Sequence, residues 1–287
     1  YNLNGFENYP TLFLYPKYQF FNPKFGITYN KNKWRIYGSV AVANKEPNRT
    51  DFETGNTNLP LPEQLIDIEC GAHFDNKNNF NVNLNLFFME YQNQLVLTGK
   101  INDIGAYTRT NVPTSFRRGI EVESNYKFLK YFNMSGNLTW SLNKILNYTN
   151  YIDYADGSGK QFEQYFSTTD IGFSPSLIQN FMLKFQKKQW GIQYSEQYVG
   201  KQYLDNTSSN SKSINAYMVH NLRVDYNYES KKKFKLICSL LVNNLFNEVY
   251  EPNGYTYSTY SNGDITNYNY FYPMAGTNYN VVLNIVF

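Results

Sequence analysis

The sequence predicts an all-β protein, a transmembrane antiparallel up-and-down β-barrel. Three observations lead to this prediction. Apolar and polar residues alternate with a period of two along most of the chain, and helical periodicity is nearly absent. The predicted strands have about 9–13 residues, which is the length that a tilted membrane strand requires. Short and long connections alternate strictly, as they do in outer-membrane barrels with tight turns at one end and long loops at the other.

Composition excludes several other classes of protein. The formal net charge of +3 over 287 residues is too small to indicate nucleic-acid binding. Aromatic residues make up 18% of the chain and charged residues only 17%, and Asn replaces charge as the polar partner. The mean hydropathy of −0.56 would suggest a soluble protein. That value does not argue against a barrel, because a barrel presents only every second residue to lipid.

The alternation defines eleven strands. The clearest stretch is NFNVNLNLFFMEY, in which Phe80 to Phe88 and Asn79 to Asn85 point to opposite faces. Because side chains alternate across a strand, the first set is expected to face lipid and the second a wet lumen. The predicted spans are 19–30, 33–43, 64–75, 79–91, 115–126, 132–143, 176–186, 189–200, 216–228, 234–245 and 278–287.

The connections place the two ends of the barrel. The short ones lie at 30–32, 75–78, 127–131, 187–188 and 229–233, and the long ones at 44–63, 92–114, 144–175, 201–215 and 246–277. Trp34, Trp190 and Tyr126 fall at the short-turn end of their strands, whereas Trp140 falls near the long-loop end. Aromatic girdles at both interfaces are typical of membrane barrels, so these positions support the prediction.

The last strand is predicted to close the barrel. One of its faces is apolar or aromatic up to the terminal residue, and such an ending resembles the signal read by the machinery that inserts outer-membrane barrels. The residues of this predicted insertion signal are Tyr279, Val281, Leu283, Ile285 and Phe287.

An odd number of strands predicts that further strands exist. Bacterial single-chain barrels have an even strand count, and an open sheet edge in lipid leaves backbone groups unpaired. We therefore expect residues 1–287 to form the C-terminal half of a 22-strand barrel, beginning in an extracellular loop. The partners of its two edges would be upstream strands from the same polypeptide or a cleaved fragment.

Several motifs resemble those of TonB-dependent outer-membrane receptors. VNNLFNEVYEPNGYTY and YPMAG before the last strand resemble the closing hairpin of that family, although Thr277 stands where an Arg is common. YVGKQYLDN, SFRRGIEVE, AVANKEPNRTDFE and LPLPEQLIDIECG match further segments in the right order. Together these matches span nearly the whole chain.

The resemblance implies a function and a set of partners. A receptor of this family would lie in the outer membrane of a Gram-negative bacterium, contact outer-membrane lipid, carry an N-terminal plug and draw energy from TonB. The favoured cargo is a ferric siderophore or other iron chelate. KEPNR replaces the motif of haem receptors, which argues against haem. The alternatives are cobalamin, a glycan or a peptide as cargo, a surface lipoprotein as additional partner, or a passive porin.

The ligand-binding candidates lie in the long loops. Tyr and Arg suit a large, partly anionic chelate, because they offer aromatic area and charge-assisted hydrogen bonds. The competing interpretation is that loop tyrosines only pack on one another. No cofactor or metal site is predicted, and DYADGSG at 153–159 is a polar turn rather than a calcium loop. The candidates are Arg49, Tyr107, Arg109, Tyr151, Asp153, Tyr154 and Tyr203.

The remaining chemistry-bearing residues argue against an enzyme. His73 is predicted on the lumen face and His220 on the lipid face, so the two cannot form a catalytic pair. Cys70 and Cys238 could form a disulfide only if their strands were neighbours. Lumen charges are expected to pair with each other or with a plug, namely Arg35, Asp67, Glu69, Glu121, Glu123, Arg223 and Asp225.

Overall fold

The computed structural model describes residues 3–6, 9–54, 59–101, 107–229 and 234–286. Its regular structure is almost entirely β-strand. In chain order the strands are β1 (Leu3–Phe6), β2 (Tyr9–Leu14), β3 (Lys24–Lys31), β4 (Trp34–Lys45), β5 (Glu63–Asp75), β6 (Phe80–Ile101), β7 (Tyr107–Phe128), β8 (Phe132–Tyr154), β9 (Gln161–Asp170), β10 (Leu177–Lys187), β11 (Trp190–Val199), β12 (Gln202–Tyr203), β13 (Ser213–Ile214), β14 (Tyr217–Glu229), β15 (Lys235–Asn243), β16 (Asn253–Ser261), β17 (Asp264–Tyr272) and β18 (Asn278–Val286).

Eleven strands form one antiparallel meander, the main sheet. Their order is β3-β4-β5-β6-β7-β8-β10-β11-β14-β15-β18. Each corresponds to one of the eleven predicted strands, so the all-β antiparallel fold and the strand count are confirmed. The two helices of the described residues are short 3₁₀ turns at Arg49–Thr54 and Asn210–Lys212. Neither is long and apolar enough to cross a membrane.

Alternate side chains give the main sheet one apolar and one polar face. Ile68 on β5 lies opposite Phe88 on β6, and both remain more than 40% exposed, at 47% and 43%. A broad apolar face that no other layer covers suits hydrocarbon rather than water. On the opposite face the Tyr37 hydroxyl donates to Asn85 Oδ1 at 2.9 Å. The predicted division into a lipid-facing and a polar side therefore matches the register.

The main sheet is open at β3 and β18. Neither strand has a second strand partner within the described residues. On β18 the predicted apolar row is largely exposed, with Val281 at 72%, whereas Phe287 lies outside the described residues. The open edges are consistent with part of a barrel, and the expected pairing of both edges with further strands stays a prediction.

Regular structure extends well beyond the predicted strands at the long-loop end. β6 and β7 continue as a hairpin through most of 92–114, β8 continues to pair with β9, and β16 pairs with β17 within 246–277. The prediction of loops in these segments was therefore wrong. The extensions are stabilised by a buried apolar cluster of Val96, Val112, Ile145, Tyr148 and Ile171, contributed by several hairpins.

The first predicted strand was placed too early. The prediction began at residue 19, whereas β3 begins at Lys24, directly after Pro23. Proline has no backbone N–H for the ladder, so it terminates the pairing on that side. The Pro23 carbonyl still accepts a hydrogen bond from the Val42 N–H at 2.9 Å.

The two cysteines are unpaired. Cys70 lies on β5 and Cys238 on β15, and six strands separate them in the main sheet. At about 4.8 Å per strand the separation is roughly 33 Å, far beyond the reach of a disulfide. The condition set for a disulfide is therefore not met.

Candidate functional site

A cavity opens on the polar face of the main sheet, toward the long-loop end. Its volume is about 440 Å³. Strands β5 to β8 form its wall, and residues 173–175, which follow β9, cover one side. The lining side chains combine aromatic area, amides, carboxylates and one guanidinium, and they include Glu69, Asn85, Phe87, Arg117, Glu121, Asn143 and Phe173.

Arg117 is the cation of this cavity. Its guanidinium donates to Ser174 Oγ at 3.0 Å and to Asn143 Oδ1 at 3.3 Å. It also hydrogen-bonds the Tyr91 hydroxyl from the neighbouring strand. These three neutral partners hold the side chain in place, and the only carboxylate whose charge acts on it directly is that of Glu63 at the start of β5, among the described residues. A fixed guanidinium of this kind presents donors to a carboxylate, catecholate or similar anion.

Arg118, the next residue along β7, lies on the opposite, apolar face of the main sheet. Arg118 Nε lies 2.7 Å from Glu90 Oε1, and its guanidinium also stacks 4.2 Å from the centroid of the Phe116 ring. Adjacent residues of a strand point to opposite faces, so Arg118 lies on the apolar side. Arg117 is not among the ligand-binding residues predicted from the sequence. The available signal was its alternation with Glu121 and Glu123, which places all three on the polar face.

The floor of the cavity depends on a glycine. A Cβ added to Gly119 would lie 2.6 Å from Phe87 Cζ and 2.5 Å from the Trp140 carbonyl oxygen. The edge of the Phe87 ring therefore occupies the space where a side chain at position 119 would begin. Below it the Asn85 amide donates to Glu121 Oε2 at 3.4 Å.

A second cavity of about 440 Å³ lies farther along the same face, between β7 and β14. Amides, hydroxyls and carboxylates line it, and its lining contains no Lys or Arg. Of these two cavities, only the first offers a cation to an anionic ligand, and its lining also contains the carboxylates of Glu69 and Glu121. The other predicted lumen charges are partly paired locally, since Arg223 Nε lies 2.9 Å from Asp225 Oδ1.

The two predicted loop arginines lie in different environments. Arg109 Nε is 2.8 Å from Asp51 Oδ1, and its terminal nitrogen is 2.9 Å from Asp51 Oδ2. This bidentate pair joins β7 to the 3₁₀ turn that begins at Arg49. Arg49 itself is exposed. Arg109 therefore has a structural partner that the sequence analysis did not anticipate.

The other predicted loop residues do not form one site. Tyr151 is 48% exposed on β8, Asp153 accepts a hydrogen bond from Gln161 at 2.7 Å, and the Tyr154 ring lies 5.0 Å from that of Tyr260. The Tyr203 ring lies under the Lys201 ammonium at 5.0 Å. Tyr107 is the first residue of β7, and its side chain lies outside the described residues.

Residues 204–214, here named the central loop, tie the long-loop hairpins together. Asn206 is fully buried. Its amide donates to the Leu97 carbonyl at 2.7 Å and accepts from the Gly172 N–H at 2.8 Å. A buried ion pair joins Lys212 Nζ to Asp205 Oδ2 at 2.8 Å.

The central loop also sets the environment of a buried phenol. Tyr148 lies at the end of β8 beyond the main sheet, and burial raises its pKa to about 12, with a further contribution from the Asp205 carboxylate. The Asn206 hydrogen bond lowers the pKa but does not outweigh burial. Tyr148 therefore stays neutral and serves as a packing residue.

The described residues contain no group of three or more His, Cys, Asp or Glu placed to hold a metal ion. At the tip of the β8–β9 hairpin, Asp156 accepts a hydrogen bond from the Ser158 N–H at 2.9 Å, the geometry of a polar turn. His73 bonds Asn83 on the polar face, whereas His220 bonds Tyr194 on the apolar face at 2.7 Å. The two histidines thus lie on opposite faces, as the sequence predicted.

The fold can now be compared with known proteins. A family model described as TonB dependent receptor-like, beta-barrel, matches residues 4–247, which is most of the chain. The chain belongs to this family. TonB-dependent receptors are outer-membrane β-barrel proteins of Gram-negative bacteria, and they are transporters rather than enzymes. The resemblance noted in the sequence is therefore confirmed, and no curated protein matches the chain.

Solved structures share the fold at low sequence identity. The siderophore receptor PiuA from Acinetobacter baumannii is 22% identical, with a TM-score of 0.66, and the match covers 91% of this chain and 35% of that one. The ferric-catecholate import receptor Fiu from K12 E. coli is 17% identical, with a TM-score of 0.62 and coverage of 91% and 34%. The copper transporter OprC is 14% identical, with a TM-score of 0.60 and coverage of 89% and 38%. This TonB-dependent receptor chain thus spans about a third of the length of the solved proteins it matches.

Proposed function

We propose that the protein takes up an anionic iron chelate, most simply a ferric siderophore, across the outer membrane. Family membership supports active transport, and the names of the similar receptors PiuA and Fiu support siderophores as the substrate class. The observation that carries the choice of an anion is the fixed Arg117 in a cavity below the long-loop hairpins.

The cavity offers complementary chemistry for such a ligand. Arg117 would donate to the anionic oxygens of the chelate, while Phe87 and Phe173 would cover its flat organic surface. Glu69 and Glu121 lie lower on the wall and would repel an anion that moved past Arg117. A ligand would therefore be held on the long-loop side of the cavity until the transporter changes state.

The predicted loop residues enter this proposal in unequal ways. Arg49, Tyr151 and Tyr203 stay candidates for the first contact with the chelate, and so do Asp153, Tyr154 and Tyr107. Arg109 is better suited to ordering the loop through Asp51. The row from Tyr279 to Ile285, ending at Phe287, stays the predicted signal for barrel insertion.

The chain requires partners in order to transport. We propose that residues 1–287 form the C-terminal part of the barrel, beginning in an extracellular loop, and that further strands pair with β3 and β18. A plug and TonB would supply gating and energy, as in the rest of the family. The open edges of the main sheet support this arrangement, because they cannot persist in lipid without partners.

The decisive experiment compares two adjacent arginines in the full-length receptor. We expect Arg117→Gln to weaken binding of a ferric catecholate by about tenfold or more, because a charge-assisted hydrogen bond contributes about 1.5–3 kcal/mol. Arg118→Gln removes the same charge from the apolar side and should leave the affinity nearly unchanged. Binding would be measured by fluorescence quenching, and uptake with radioactive iron.

The same measurements separate the alternatives. Equal affinities for the two variants would refute the role of Arg117 in binding. Binding of cobalamin, an oligosaccharide or a peptide in place of ferric chelates would refute the substrate class. Uptake that continues without TonB would instead support a passive channel.

A further inference from the structure

The β16–β17 hairpin has two unlike faces. Its inner face packs on the protein, where Thr256 is 1% exposed and bonds Asn269 Oδ1 at 2.7 Å. The Asn269 amide in turn donates to the carbonyl of Ser211, a residue of the central loop, at 2.7 Å. These contacts fix the orientation of the hairpin, so its other face points away from the rest of the described residues.

The outward face carries a column of tyrosine rings, here named the tyrosine ladder. The rings of Tyr255 and Tyr270 lie 4.8 Å apart with planes within 10°, and those of Tyr257 and Tyr268 lie 4.8 Å apart within 18°. Each stacked pair is a rung of the ladder. Diagonal contacts between ring centroids about 6 Å apart join the two rungs to each other and to Tyr272. Four of the five residues are 39–47% exposed. Such stacking holds the rings rigid, and the exposed part of each ring stays available for contact.

The ladder is not explained by the membrane interface alone. An aromatic girdle occupies one level of a barrel, whereas β17 has nine residues and rises by about 3.3 Å for each. The ladder itself runs along β17 from Tyr268 to Tyr272, which spans roughly 13 Å, so its rungs cannot all lie at one level. The rung of Tyr257 and Tyr268 lies toward the hairpin tip, where Thr259 and Tyr260 of β16 pair with Asp153 and Tyr154 of β8.

The outer edge of β17 is open as well. Within the described residues β17 pairs only with β16, so the backbone groups along its other edge have no strand beside them. Natural edge strands are usually protected by Lys, Pro or a bulge. The β17 segment DITNYNYFY contains no Lys or Pro, and its pairing with β16 runs without a register shift. Such an edge is a template for an added strand.

The charge around the ladder indicates what kind of partner it fits. Glu248, Glu251 and Asp264 flank the hairpin, and the sequence contains no Lys, Arg or His after Lys235. An anionic chelate would be repelled here, so the ladder is unsuited to the ligand proposed for the Arg117 cavity. Cationic side chains would be attracted, and Arg in particular stacks on tyrosine rings.

We propose that the tyrosine ladder and the β17 edge form a docking surface for a polypeptide that adds an extended, basic strand. Backbone hydrogen bonds along β17 would supply affinity, and alternate Arg or Lys side chains would lie on the ladder. Tyr supplies rigid contact area at low entropic cost, as in antibody combining sites, and the neighbouring Ser, Thr and Asn residues adapt their hydrogen bonds. This surface acts independently of iron uptake.

The proposal is tested on the full-length receptor in detergent with two synthetic ten-residue peptides, alternating Arg–Thr and alternating Glu–Thr. We expect the Arg–Thr peptide to bind about tenfold or more tightly than the Glu–Thr peptide. Combining Tyr257→Ser, Tyr268→Ser and Tyr270→Ser should abolish that preference. The matched control is Tyr165→Ser, which removes an exposed tyrosine of β9 from outside the ladder. Melting curves would verify that each variant is folded.

Hydrogen exchange identifies the mode of binding. Bound Arg–Thr peptide should slow amide exchange in 264–272 and leave exchange in β9 unchanged. Equal binding of both peptides, unchanged binding by the triple variant, or no slowing in β17 would each overturn the proposal. So would a ladder-dependent dimer of the receptor, or ladder-dependent binding of maltoheptaose, in the absence of peptide binding.

Discussion

Arg109 and Asp51 form a two-point ion pair across 58 residues of sequence, with nitrogen–oxygen distances of 2.8 and 2.9 Å. Asp51 is 3% exposed, so its carboxylate depends on this partner. The pair fastens the 3₁₀ turn to the extended part of β7. A residue type chosen from the sequence as a ligand contact thus has an architectural role.

The ion pair predicts that changing one partner destabilises the protein more than changing both partners. Arg109→Gln should destabilise the 49–54 segment by about 3 kcal/mol, because it removes the guanidinium charge from a buried carboxylate that would keep only weaker partners such as the Asn48 N–H. The combination of Arg109→Met with Asp51→Leu should be less damaging than either single change. Hydrogen exchange of the segment measures both effects. A double variant as unstable as the sum of the single variants would show that the two residues act separately.

Mutation of the buried ion pair in the central loop is predicted to cost more stability than mutation of a half-buried ion pair elsewhere. The Lys212 and Asp205 side chains are 5% and 6% exposed, whereas those of Lys144 and Asp170 are 30% and 31% exposed. Lys212→Met should cost about 3–5 kcal/mol and open the loop to protease. Lys144→Met should cost about 1 kcal/mol or less. Equal proteolysis of the two variants would contradict the central role of the loop.

Tyr148 predicts a loss of stability in strong alkali. Its folded-state pKa of about 12 exceeds the ordinary value of 10.0, so the neutral phenol is favoured by folding. This contribution, on the order of 2 kcal/mol, is complete below pH 10 and disappears as the pH rises toward 12. Tyr148→Phe should lower the melting temperature slightly at pH 8 and reduce its fall between pH 10 and 12. An unchanged fall would assign the alkaline transition to other groups.

The main sheet could be predicted from the sequence because its signal is local. Apolar and polar residues must alternate along a lipid-facing strand, so the faces of residues such as Leu84 and Asn85 can be predicted from their positions in the sequence. The hairpins at the long-loop end carry no such signal, because both of their faces meet protein or water. Segments like NGYTYSTYSNG resemble turns in composition, and only the packing of Thr256 shows that they are strands.

The candidate site was less predictable for a related reason. The partner of Arg109 lies 58 residues away, and nothing in either segment indicates that Asp51 would be buried beside it. The position of Arg117 on the polar face could be predicted from the sequence, because strand alternation distinguishes it from Arg118. The sequence does not indicate that residues 173–175 cover this part of the sheet. Their cover is what closes the space around Arg117 into a cavity.

Gly119 provides the most direct test of how the sheet shapes that cavity. Gly119→Ala would place a methyl group against Phe87 and the Trp140 carbonyl, so the ring must tilt away and alter the pocket beneath Arg117. We expect ferric-chelate affinity to fall by about tenfold with a destabilisation of about 1–3 kcal/mol. Gly38→Ala is the matched control, because a Cβ there approaches other atoms no closer than 3.8 Å. Adding Phe87→Leu to Gly119→Ala should recover only part of the stability, because the smaller side chain relieves the contact with the ring but not the 2.5 Å approach to the Trp140 carbonyl oxygen. If Gly119→Ala bound the chelate like the unmodified receptor, the Phe87 ring would have no part in shaping the site.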